Sequence, residues 1–423
     1  MADTIYALSS GRPPAAISVI RVSGPAAHSA AQLIADTLPE ARTAAVRELR
    51  HPTSGELLDE ALLLRFDAPA SATGEDVVEF QCHGGRAVVD ALLAALGGIE
   101  GLREAQPGEF TRRAFENGRI DLTEAEGLAD LIEAETESQR KAALALAEGG
   151  LRKQIAAWQE RLLGLSAQAE RAIDYDEEDE AVDASLLRDC AELAEEMKLW
   201  LERPRVEPLK DGVLVVVAGP PNAGKSSLIN VIAGEERSIV TDVPGTTRDH
   251  LEVPLSIGGV PIRLTDTAGL RETDDVVEAI GVDRAGKLVE AADVLVWLGD
   301  PNAVPNHQRV VPVHAKTDLH PVAPQGSIAF SSLTGVGLPT LLERIGTEAK
   351  AVLPAEDSIS LNRRQAKHIE EAQAALGRAS AAHDLVLVAE ELRLARTSMD
   401  RLTARAGVED VLDALFGRFC LGK

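Results

Sequence analysis

The sequence predicts a multidomain protein that combines α/β domains with an all-α domain. Three observations support this fold class. An apolar, β-branched run at Val213–Ala218 leads through a glycine-rich turn into a helix, and strands and helices then alternate to about residue 348. Helical periodicity without strands flanks this region on both sides. We therefore expect a doubly wound α/β domain inserted into a helical domain, and 423 residues suffice for two to three domains with their own cores.

The first 118 residues are expected to form a separate α/β domain, because short alternating runs are interleaved with Ala-rich helical patterns. The predicted strands are Ala16–Val22, Ala61–Phe66 and Val77–Cys82, and the predicted helices are Ala26–Leu38 and Arg86–Leu96. Glu79 lies inside the third of these strands, which is otherwise mostly apolar. A carboxylate on the solvent face of a sheet is the ordinary explanation of such a position.

The helical domain is predicted in two halves, at residues 119–209 and 350–423, which are expected to pack together. Thr123-x-x-Glu126 matches a capping box, and periodicity from there to Ala147 predicts one helix. The acidic run at 174–180 is most simply a solvated loop, with carboxylate metal binding as the alternative. Further helices are predicted at Leu151–Ile173, Leu186–Leu201, Ser358–Ala382, Leu385–Ala406 and Val408–Phe419.

Between the two halves, residues 210–349 alternate strands and helices, as a doubly wound sheet does. The predicted strands are Val213–Ala218, Leu251–Ile257, Pro261–Asp266, Val294–Leu298, Val310–His314 and Ser327–Phe330.

Composition narrows the class of protein. The net charge of −25 and the 3% aromatic content argue against nucleic-acid binding over the whole surface and against a base-stacking platform, although a local basic site remains open. The three cysteines are far apart in sequence and form no metal-binding pattern. No apolar run is long enough to span a membrane and the N-terminus lacks a secretory signal, so a cytoplasmic location is expected.

The strongest chemical signal is the segment Gly219–Ser226, which fits G-x-x-x-x-G-K-[ST] between a predicted strand and a predicted helix. Its backbone N–H groups are expected to surround a β-phosphate at the start of the helix. Lys225 is expected to reach the β- and γ-phosphate oxygens, and the Ser226 hydroxyl to bind Mg²⁺.

Two segments downstream extend this pattern. Thr241–Asp249 (TDVPGTTRD) offers threonine hydroxyls for the Mg²⁺ shell and the γ-phosphate, and Asp266–Gly269 (DTAG) follows a predicted strand. Asp266 is placed to hold the Mg²⁺ shell, and the N–H of Gly269 to contact the γ-phosphate. The three segments, in this order and at these separations, predict a GTPase.

The element that reads the base should be Asn-Lys-x-Asp, and this chain has Ala315-Lys316-Thr317-Asp318. Asp318 can accept from guanine N1–H and from the 2-amino group, both of which adenine lacks, and Lys316 can lie along the base. Ala315 cannot supply the expected amide, so we expect nucleotide affinity to be lower by roughly 1–2 kcal/mol. Ser331-Ser332 resembles the last loop that contacts guanine.

Hydrolysis needs a group that replaces the water-orienting glutamine of Ras-like enzymes, because the residue after DTAG is Leu270. Asn222 is a candidate ligand for a K⁺ ion, which would supply the positive charge of an arginine finger. Glu278 is a candidate for orienting the water, although from the sequence alone a helix-start carboxylate is the simpler interpretation.

The motifs RVSG, TGEDVVEFQCHGG, GPPNAGKSS, TDVPGTTRD, DTAGLR and a terminal CLGK occur in this order along essentially the whole chain. In this arrangement the sequence resembles the MnmE (TrmE) family of tRNA-modification GTPases. The GTPase motifs are shared with other bacterial GTPases. The N-terminal motifs and the terminal C-[IL]-G-K are the specific part of the resemblance.

The resemblance implies an enzyme that hydrolyses GTP and adds an aminomethyl-type group, typically carboxymethylaminomethyl, at C5 of the wobble uridine of certain tRNAs. It implies an FAD-containing partner, MnmG (GidA), and a folate one-carbon donor, 5-formyl- or 5,10-methylene-tetrahydrofolate. It further implies a homodimer, a folate-binding and dimerisation role for the N-terminal domain, and K⁺-dependent dimerisation of the GTPase domains.

Carried over by motif, the resemblance also implies roles for individual residues. The K⁺ ligands would be Asn222, the backbone of Thr241 and Val243, and Thr246; Mg²⁺ would take Ser226 and Thr247; and Glu278 would orient the attacking water. The folate site would use Arg21, Glu79, Arg119 and Lys423, with Cys420 nearby as either a catalytic thiol or a small buried residue. The nucleotide would contact Asn222, Ala223, Gly224, Lys225, Ser226, Ser227, Thr241, Thr246, Thr247, Asp266, Thr267, Ala268, Gly269, Lys316, Asp318, Ser331 and Ser332.

This assignment gives Glu79 a chemical role, since a pterin offers N3–H and a 2-amino group to one carboxylate, and basic residues can pair with the glutamyl carboxylates of a folate.

The sequence departs from the family at Ala315, at Arg119, where lysine is more frequent, and between Ala291 and Lys316, where a helix is expected to be missing. Two alternatives remain: a GTPase switch in ribosome assembly, and a folate-dependent methyltransferase with a regulatory GTPase domain.

Overall fold

The computed structural model describes residues 3–175, 182–236, 252–267, 286–354, 359–403, 409–417, 419 and 422. The strands are β1 (Thr4–Leu8), β2 (Ile17–Ser23), β3 (Ala45–Arg50), β4 (Leu57–Phe66), β5 (Val77–His83), β6 (Leu102–Glu104), β7 (Val213–Ala218), β8 (Glu252–Ile257), β9 (Val260–Asp266), β10 (Val294–Trp297), β11 (Val310–His314) and β12 (Ile328–Ala329). The helices are α1 (Ala27–Ala35), α2 (Arg86–Gly97), α3 (Glu109–Glu116), α4 (Leu122–Glu133), α5 (Glu137–Ala147), α6 (Gly150–Tyr175), α7 (Ala184–Leu201), α8 (Glu207–Lys210), α9 (Lys225–Glu236), α10 (286–291), α11 (Leu338–Lys350), α12 (Arg363–Ser380), α13 (Leu385–Leu402) and α14 (Glu409–Phe416).

The chain divides into two compact units. The first contains residues 1–129 and 400–423, and the second contains residues 130–399. The fold class expected from the sequence is confirmed: α/β sheets occur together with a helical region, and a doubly wound sheet contains β7, the strand that leads into the phosphate-loop segment.

The first unit is built on a six-stranded sheet in the order β3-β4-β5-β2-β1-β6. Its strands pair antiparallel except for β1 and β6, which are parallel. One face of the sheet is covered by α1 and α2, whose alanine, leucine and isoleucine side chains pack on buried residues such as Phe80 and Leu63. The sequence pattern does not predict β1, β3 and β6, because each strand is short or carries charges that weaken the pattern.

In the second unit, the sheet order is β12-β11-β10-β7-β9-β8, parallel throughout except for the antiparallel β8–β9 hairpin. Val213, Val215 and Val217 pack on the side of α9 and α11, whereas Val216 and Ala218 pack on the side of α10. Because β7 is buried on both faces, its sequence is a continuous apolar run rather than an alternating one.

The helical region differs from its prediction at α4. This helix begins at Leu122 with Asp121 as its cap: Asp121 Oδ1 accepts from Glu124 N at 2.9 Å, and Glu124 Oε2 accepts from Asp121 N at 2.8 Å. The predicted box at Thr123 was therefore wrong, since D-x-x-E two residues earlier satisfies the same rule. The single helix predicted as far as Ala147 is also wrong, because it is interrupted at residues 134–136.

The two helical segments of the sequence contact each other within each unit. In the second unit, α7 packs along α12. In the first unit, Leu412, Leu415 and Phe416 of α14 pack on Leu122 and Ala125 of α4. The expected missing helix between β10 and β11 is consistent with the fold, since residues 298–309, all described, contain only a 3-10 turn at Pro301–Ala303.

Candidate functional site

The phosphate-loop segment has the backbone geometry that its glycines were expected to provide. Gly219 has φ +151°, and a Cβ built on it would lie 2.5 Å from Leu298 O, so only glycine fits. Asn222 has φ +59°, which is uncommon for a residue with a side chain. Helix α9 begins at Lys225, so its first N–H groups face the loop.

Lys225 is almost fully buried, with 7% of its surface exposed. Its Nζ donates to Gly219 O at 3.0 Å and to Pro220 O at 2.9 Å. The ammonium group therefore lies inside the loop where a phosphate would be surrounded. These two carbonyls hold the ammonium group in position at the loop.

Two predicted Mg²⁺-shell residues meet at the end of the sheet. Ser226 Oγ donates to Asp266 Oδ2 at 2.7 Å, and β9, which ends at Asp266, pairs with β7. A hydroxyl and a carboxylate are oxygen donors of the kind that Mg²⁺ prefers, so this pair fits the ion. Thr267 follows with its Oγ1 donating to Val217 O at 3.1 Å.

The predicted base-reading residues are also brought to this end of the sheet. Lys316 Nζ donates to Asn222 O at 2.8 Å, which ties the base loop to the phosphate loop. Ser331 Oγ donates to Asp318 Oδ1 at 2.6 Å, and Ser331 is fully buried. A Cβ built on Gly224 would lie 3.9 Å from Ala315 Cβ, so Ala315 lies beside the phosphate loop. Ala223 lies in the phosphate loop, Ser227 in the first turn of α9, and Ser332 in the turn directly after Ser331.

A second group of predicted residues lies in the first unit. Arg21 on β2 stands opposite Glu79 on β5. Arg21 Nε and Nη2 lie 2.9 and 2.8 Å from Glu79 Oε1, and 23% and 16% of the two side chains are exposed. Among the described residues, no donor is assigned to Glu79 Oε2. This pair can therefore still offer one carboxylate oxygen to a ligand.

Arg119 lies against the turn that precedes β5. A Cβ built on Gly74 would lie 3.2 Å from Arg119 Cγ, and Asn117 Nδ2 donates to Thr73 O at 2.7 Å in the same turn. Arg119 is exposed. Arg119, one predicted folate residue, therefore lies against the turn, and the turn leads directly into β5, which contains another, Glu79.

Gly422 is the residue of the C-terminal CLGK motif that the structure describes, and it lies against Leu8 at the end of β1. Its φ is +89°, and a Cβ built on it would lie 2.0 Å from Leu8 O. Glycine is required here both by the backbone conformation and by this close approach. The two ends of the chain therefore meet within the first unit.

Several predicted residues lie outside the described residues, and their roles remain predictions. They are Thr241, Val243, Thr246, Thr247, Ala268, Gly269, Glu278, Cys420 and Lys423.

Comparison with known proteins identifies the family. A family model described as "GTP-binding protein TrmE N-terminus" matches residues 4–119, and one described as "MnmE helical domain" matches residues 122–420. A curated protein of Erythrobacter litoralis named "tRNA modification GTPase MnmE" is 49% identical over 100% of both chains. Proteins with the same name from Zymomonas mobilis and Rhizorhabdus wittichii are 48% and 50% identical; they align with 99% and 100% of this chain, and the alignments cover 100% and 97% of those proteins.

The chain belongs to the MnmE family. The resemblance inferred from the motifs is thereby confirmed, and the chain is a GTP-binding, GTP-hydrolysing enzyme of this family. No helix among the described residues has the length and hydropathy needed to cross a membrane.

Several residues that no sequence motif indicates lie around the candidate site of the first unit. Phe110 lies under Arg21, with the guanidinium carbon 5.6 Å from the ring centroid. Arg113, 8% exposed, donates to Glu75 Oε2 at 3.1 Å and to Asp3 Oδ1 at 2.7 Å. Burial opposes the charge of Glu109, but bonds from Arg103, the Gln106 backbone and Arg113 still lower the pKa of that carboxyl. The sequence feature that could have indicated Arg113 is its position in an amphipathic stretch, EFTRRAFE.

The position of Ala315 leads to a prediction for Ala315→Asn. An asparagine side chain there would start beside the phosphate loop and restore the hydrogen bond whose loss is expected to cost roughly 1–2 kcal/mol. We expect the Kd for GDP to fall by about five- to thirtyfold, measured by fluorescence titration with a labelled GDP. Ala303→Asn, an exposed control on the 3-10 turn, should leave the Kd unchanged. An unchanged Kd for Ala315→Asn would contradict the account of this loop.

Proposed function

We propose that this chain uses GTP hydrolysis to drive modification of the wobble uridine of tRNA at C5, adding an aminomethyl-type group such as carboxymethylaminomethyl. The carbon would come from 5-formyl- or 5,10-methylene-tetrahydrofolate, and an FAD-containing partner of the MnmG (GidA) kind would take part. The proposal places the protein in the cytoplasm as a homodimer. Its main support is full-length similarity to proteins named for tRNA modification.

The Arg21–Glu79 pair supports the folate part of the proposal. A pterin presents N3–H and a 2-amino group side by side, and a carboxylate with an available oxygen can accept from such a pair. Arg21 fixes the carboxylate, and Phe110 supports Arg21. Arg119, which lies against the turn that precedes β5, would add positive charge for a glutamyl carboxylate. Lys423 would belong to the same site, since Gly422 lies against Leu8.

Cysteine chemistry points toward Cys420 as the candidate reactive thiol. Burial, with the charge of Asp59 as a second cause, raises the pKa of Cys82 to about 11. Burial likewise raises the pKa of Cys190 to about 11. Neither thiol is suited to nucleophilic chemistry near neutral pH, because the thiolate is the reactive form. Cys420 is the remaining cysteine of the chain.

In the GTPase site, Mg²⁺ would be held by Ser226 and Thr247, and it would neutralise charge on the β- and γ-phosphates when bound. Asn222, the backbone of Thr241 and Val243, and Thr246 would hold K⁺. Asp266 supports the Mg²⁺ shell through its contact with Ser226. Glu278 would orient the attacking water.

The K⁺ proposal predicts that GTP turnover is at least several times faster in K⁺ than in Na⁺ at equal ionic strength. The physical reason is that a cation of matching size next to Asn222 supplies positive charge to the transition state. Phosphate release measured in the two salts tests this. Equal rates would remove Asn222 from the proposed role.

Reduced-folate binding separates the proposal from a GTPase switch in ribosome assembly. Calorimetry with 5-formyl-tetrahydrofolate should show one site per chain. Incubation of the chain with its FAD partner, GTP, methylene-tetrahydrofolate, an amine donor (ammonium or glycine) and unmodified tRNA should then yield the modified uridine. A protein that binds GTP but no folate would fit the switch instead, and one that alters no uridine while binding folate would fit the methyltransferase.

A further inference from the structure

The break between α4 and α5 lies beside the segment that leads into the GTPase sheet, within the second unit. Helix α4 ends at Glu133 and α5 begins at Glu137. Helix α8 ends at Lys210, three residues before β7 begins at Val213. Strand β7 in turn ends at the phosphate loop. Lys210 thus lies between the helical region and the strand that leads to the nucleotide site.

Gln139 connects these two segments. Its Oε1 accepts from Glu135 N at 3.0 Å and from Thr136 N at 2.9 Å, as part of a capping box with Thr136. Because the oxygen is committed to these N–H groups, the amide nitrogen points the other way, and Nε2 donates to Lys210 O at 3.4 Å. One side chain therefore both caps α5 and contacts the end of α8.

Lys210 makes a second connection through its side chain. Its Nζ donates to Asp130 Oδ1 near the end of α4, and only 16% of the Asp130 side chain is exposed. Removing one member of a pair with so buried a carboxylate leaves the other charge poorly solvated. Lys210 therefore links α4, α5 and the entry to β7. We call Asp130, Gln139 and Lys210 the α4–α8 joint.

The joint is also next to the β8–β9 hairpin. A cavity of about 90 Å³ is lined by Thr136, Gln139 and Lys210 on one side and by Pro254 and Arg263 of the hairpin on the other. Arg263 Nε donates to Gly212 O at 3.3 Å, between α8 and β7. A second cavity of about 150 Å³ lies on the helical side of the joint, lined by Asp130, Ala143 and Leu209.

Both cavities are partly open to solvent and are not enclosed in the close-packed interior. The hairpin and α5 can therefore shift on either side of the polar joint without overlap of packed side chains. The hairpin connects the two segments expected to sense the γ-phosphate, since it follows Thr241–Asp249 in the chain and ends at Asp266, which contacts Ser226. A displacement at the nucleotide would reach the joint through this hairpin.

We propose that the α4–α8 joint is a positioning element that passes the nucleotide state of the GTPase sheet to α4 and α5, with Gln139 as its central residue. This inference rests on the proposed function for its biological readout, because it states how GTP hydrolysis is coupled to tRNA modification. It requires no contact between Gln139 and the nucleotide. It predicts that the two activities can be separated by mutation.

Gln139→Glu separates the two roles of this side chain. Glutamate is a favourable third residue of a capping box, so the bonds to Glu135 N and Thr136 N are kept. The donor to Lys210 O is lost, and a carboxylate oxygen faces that carbonyl instead. The matched control is Gln325→Glu, which makes the same charge change at an exposed loop position of the same unit.

We expect Gln139→Glu to keep the melting temperature and the kcat and KM for GTP of the wild type. The amount of modified uridine formed per GTP hydrolysed should fall at least fivefold, and Gln325→Glu should behave as the wild type. Lys210→Met should also lower coupling, and it should lower the melting temperature as well, because Asp130 loses its ion-pair partner. Lys210→Arg should keep both near their wild-type values, because arginine keeps the ion pair with Asp130. Wild-type coupling in Gln139→Glu would overturn the proposal. A parallel loss of stability and of both activities would also overturn it, since this is what a purely structural cap predicts.

A second readout does not depend on tRNA. Hydrogen exchange of the backbone amides at residues 134–142 should differ between the GDP-bound wild type and the wild type bound to a non-hydrolysable GTP analogue. The difference should disappear in Gln139→Glu. If the wild type modifies no uridine, the proposed function fails, but the exchange comparison still tests the role of the joint. The same nucleotide-dependent exchange in the variant and in the wild type would refute the proposal that the joint passes on the nucleotide state.

Discussion

Lys225→Ala should reduce GTP turnover by about 10²–10³-fold, which corresponds to the loss of a charged donor aimed at the transferring phosphoryl group. Lys225 is 7% exposed, and its Nζ is held by Gly219 O and Pro220 O, inside the loop. Alanine leaves the backbone N–H groups of the loop but removes the only side-chain ammonium that the motif provides. Steady-state phosphate release at saturating GTP measures the effect.

Lys350→Ala is the matched control, since Lys350 is an exposed lysine at the end of α11 in the same unit. It should leave turnover unchanged. The melting temperatures of both variants show whether the fold is kept. A folded Lys225→Ala protein with wild-type turnover would exclude this loop as the phosphate-binding element.

Glu79→Gln should weaken binding of 5-formyl-tetrahydrofolate by about 10- to 100-fold, because hydrogen bonds to a charged group are worth about 1.5–3 kcal/mol. The change keeps the shape of the side chain. It leaves Arg21 without its carboxylate partner, whose Oε1 lies 2.8 Å from Nη2, and it replaces one acceptor oxygen by a donor NH₂. Isothermal calorimetry measures the affinity directly.

Glu48→Gln serves as the control for this variant. Glu48 is on β3 of the same sheet and pairs with Arg50 at 2.7 Å, but 59% of its side chain is exposed. It should bind folate as the wild type does. GTP turnover should be unaffected in both variants, since the nucleotide residues lie in the other unit. Wild-type folate affinity in Glu79→Gln would show that the pterin binds elsewhere.

The sequence predicted best where local chemistry leaves few choices. The phosphate loop needs glycine at Gly219, where φ is +151°, so the local sequence is enough to predict the backbone conformation of the loop. The buried strand β7 and the long helices have strong periodicity and lie close to their predicted bounds. For the same reason, residues around the nucleotide could be predicted by motif, and several of those that the structure describes lie at one end of the sheet.

Elements and side-chain contacts that depend on residues far apart in the chain could not be predicted from the sequence. Strand β6 has three residues and forms because it pairs with β1, nearly 100 positions away in the chain. The break between α4 and α5 contains no proline or glycine, so no local pattern predicts it. Thr136 and Gln139 form the capping box of α5, and the contact of Gln139 with Lys210, 71 positions further along the chain, cannot be predicted from the local sequence. Arg113 likewise depends on Asp3 and Glu75, which no local pattern joins to it.

The most direct test of the central claim is mass spectrometry of wobble uridine in tRNA from cells with and without this chain. The account predicts that the C5 aminomethyl-type modification is lost from the deletion strain and returns when the wild-type chain is expressed. It also predicts that neither Lys225→Ala nor Glu79→Gln restores it at equal protein levels. Unchanged wobble uridine in the deletion strain would contradict the account.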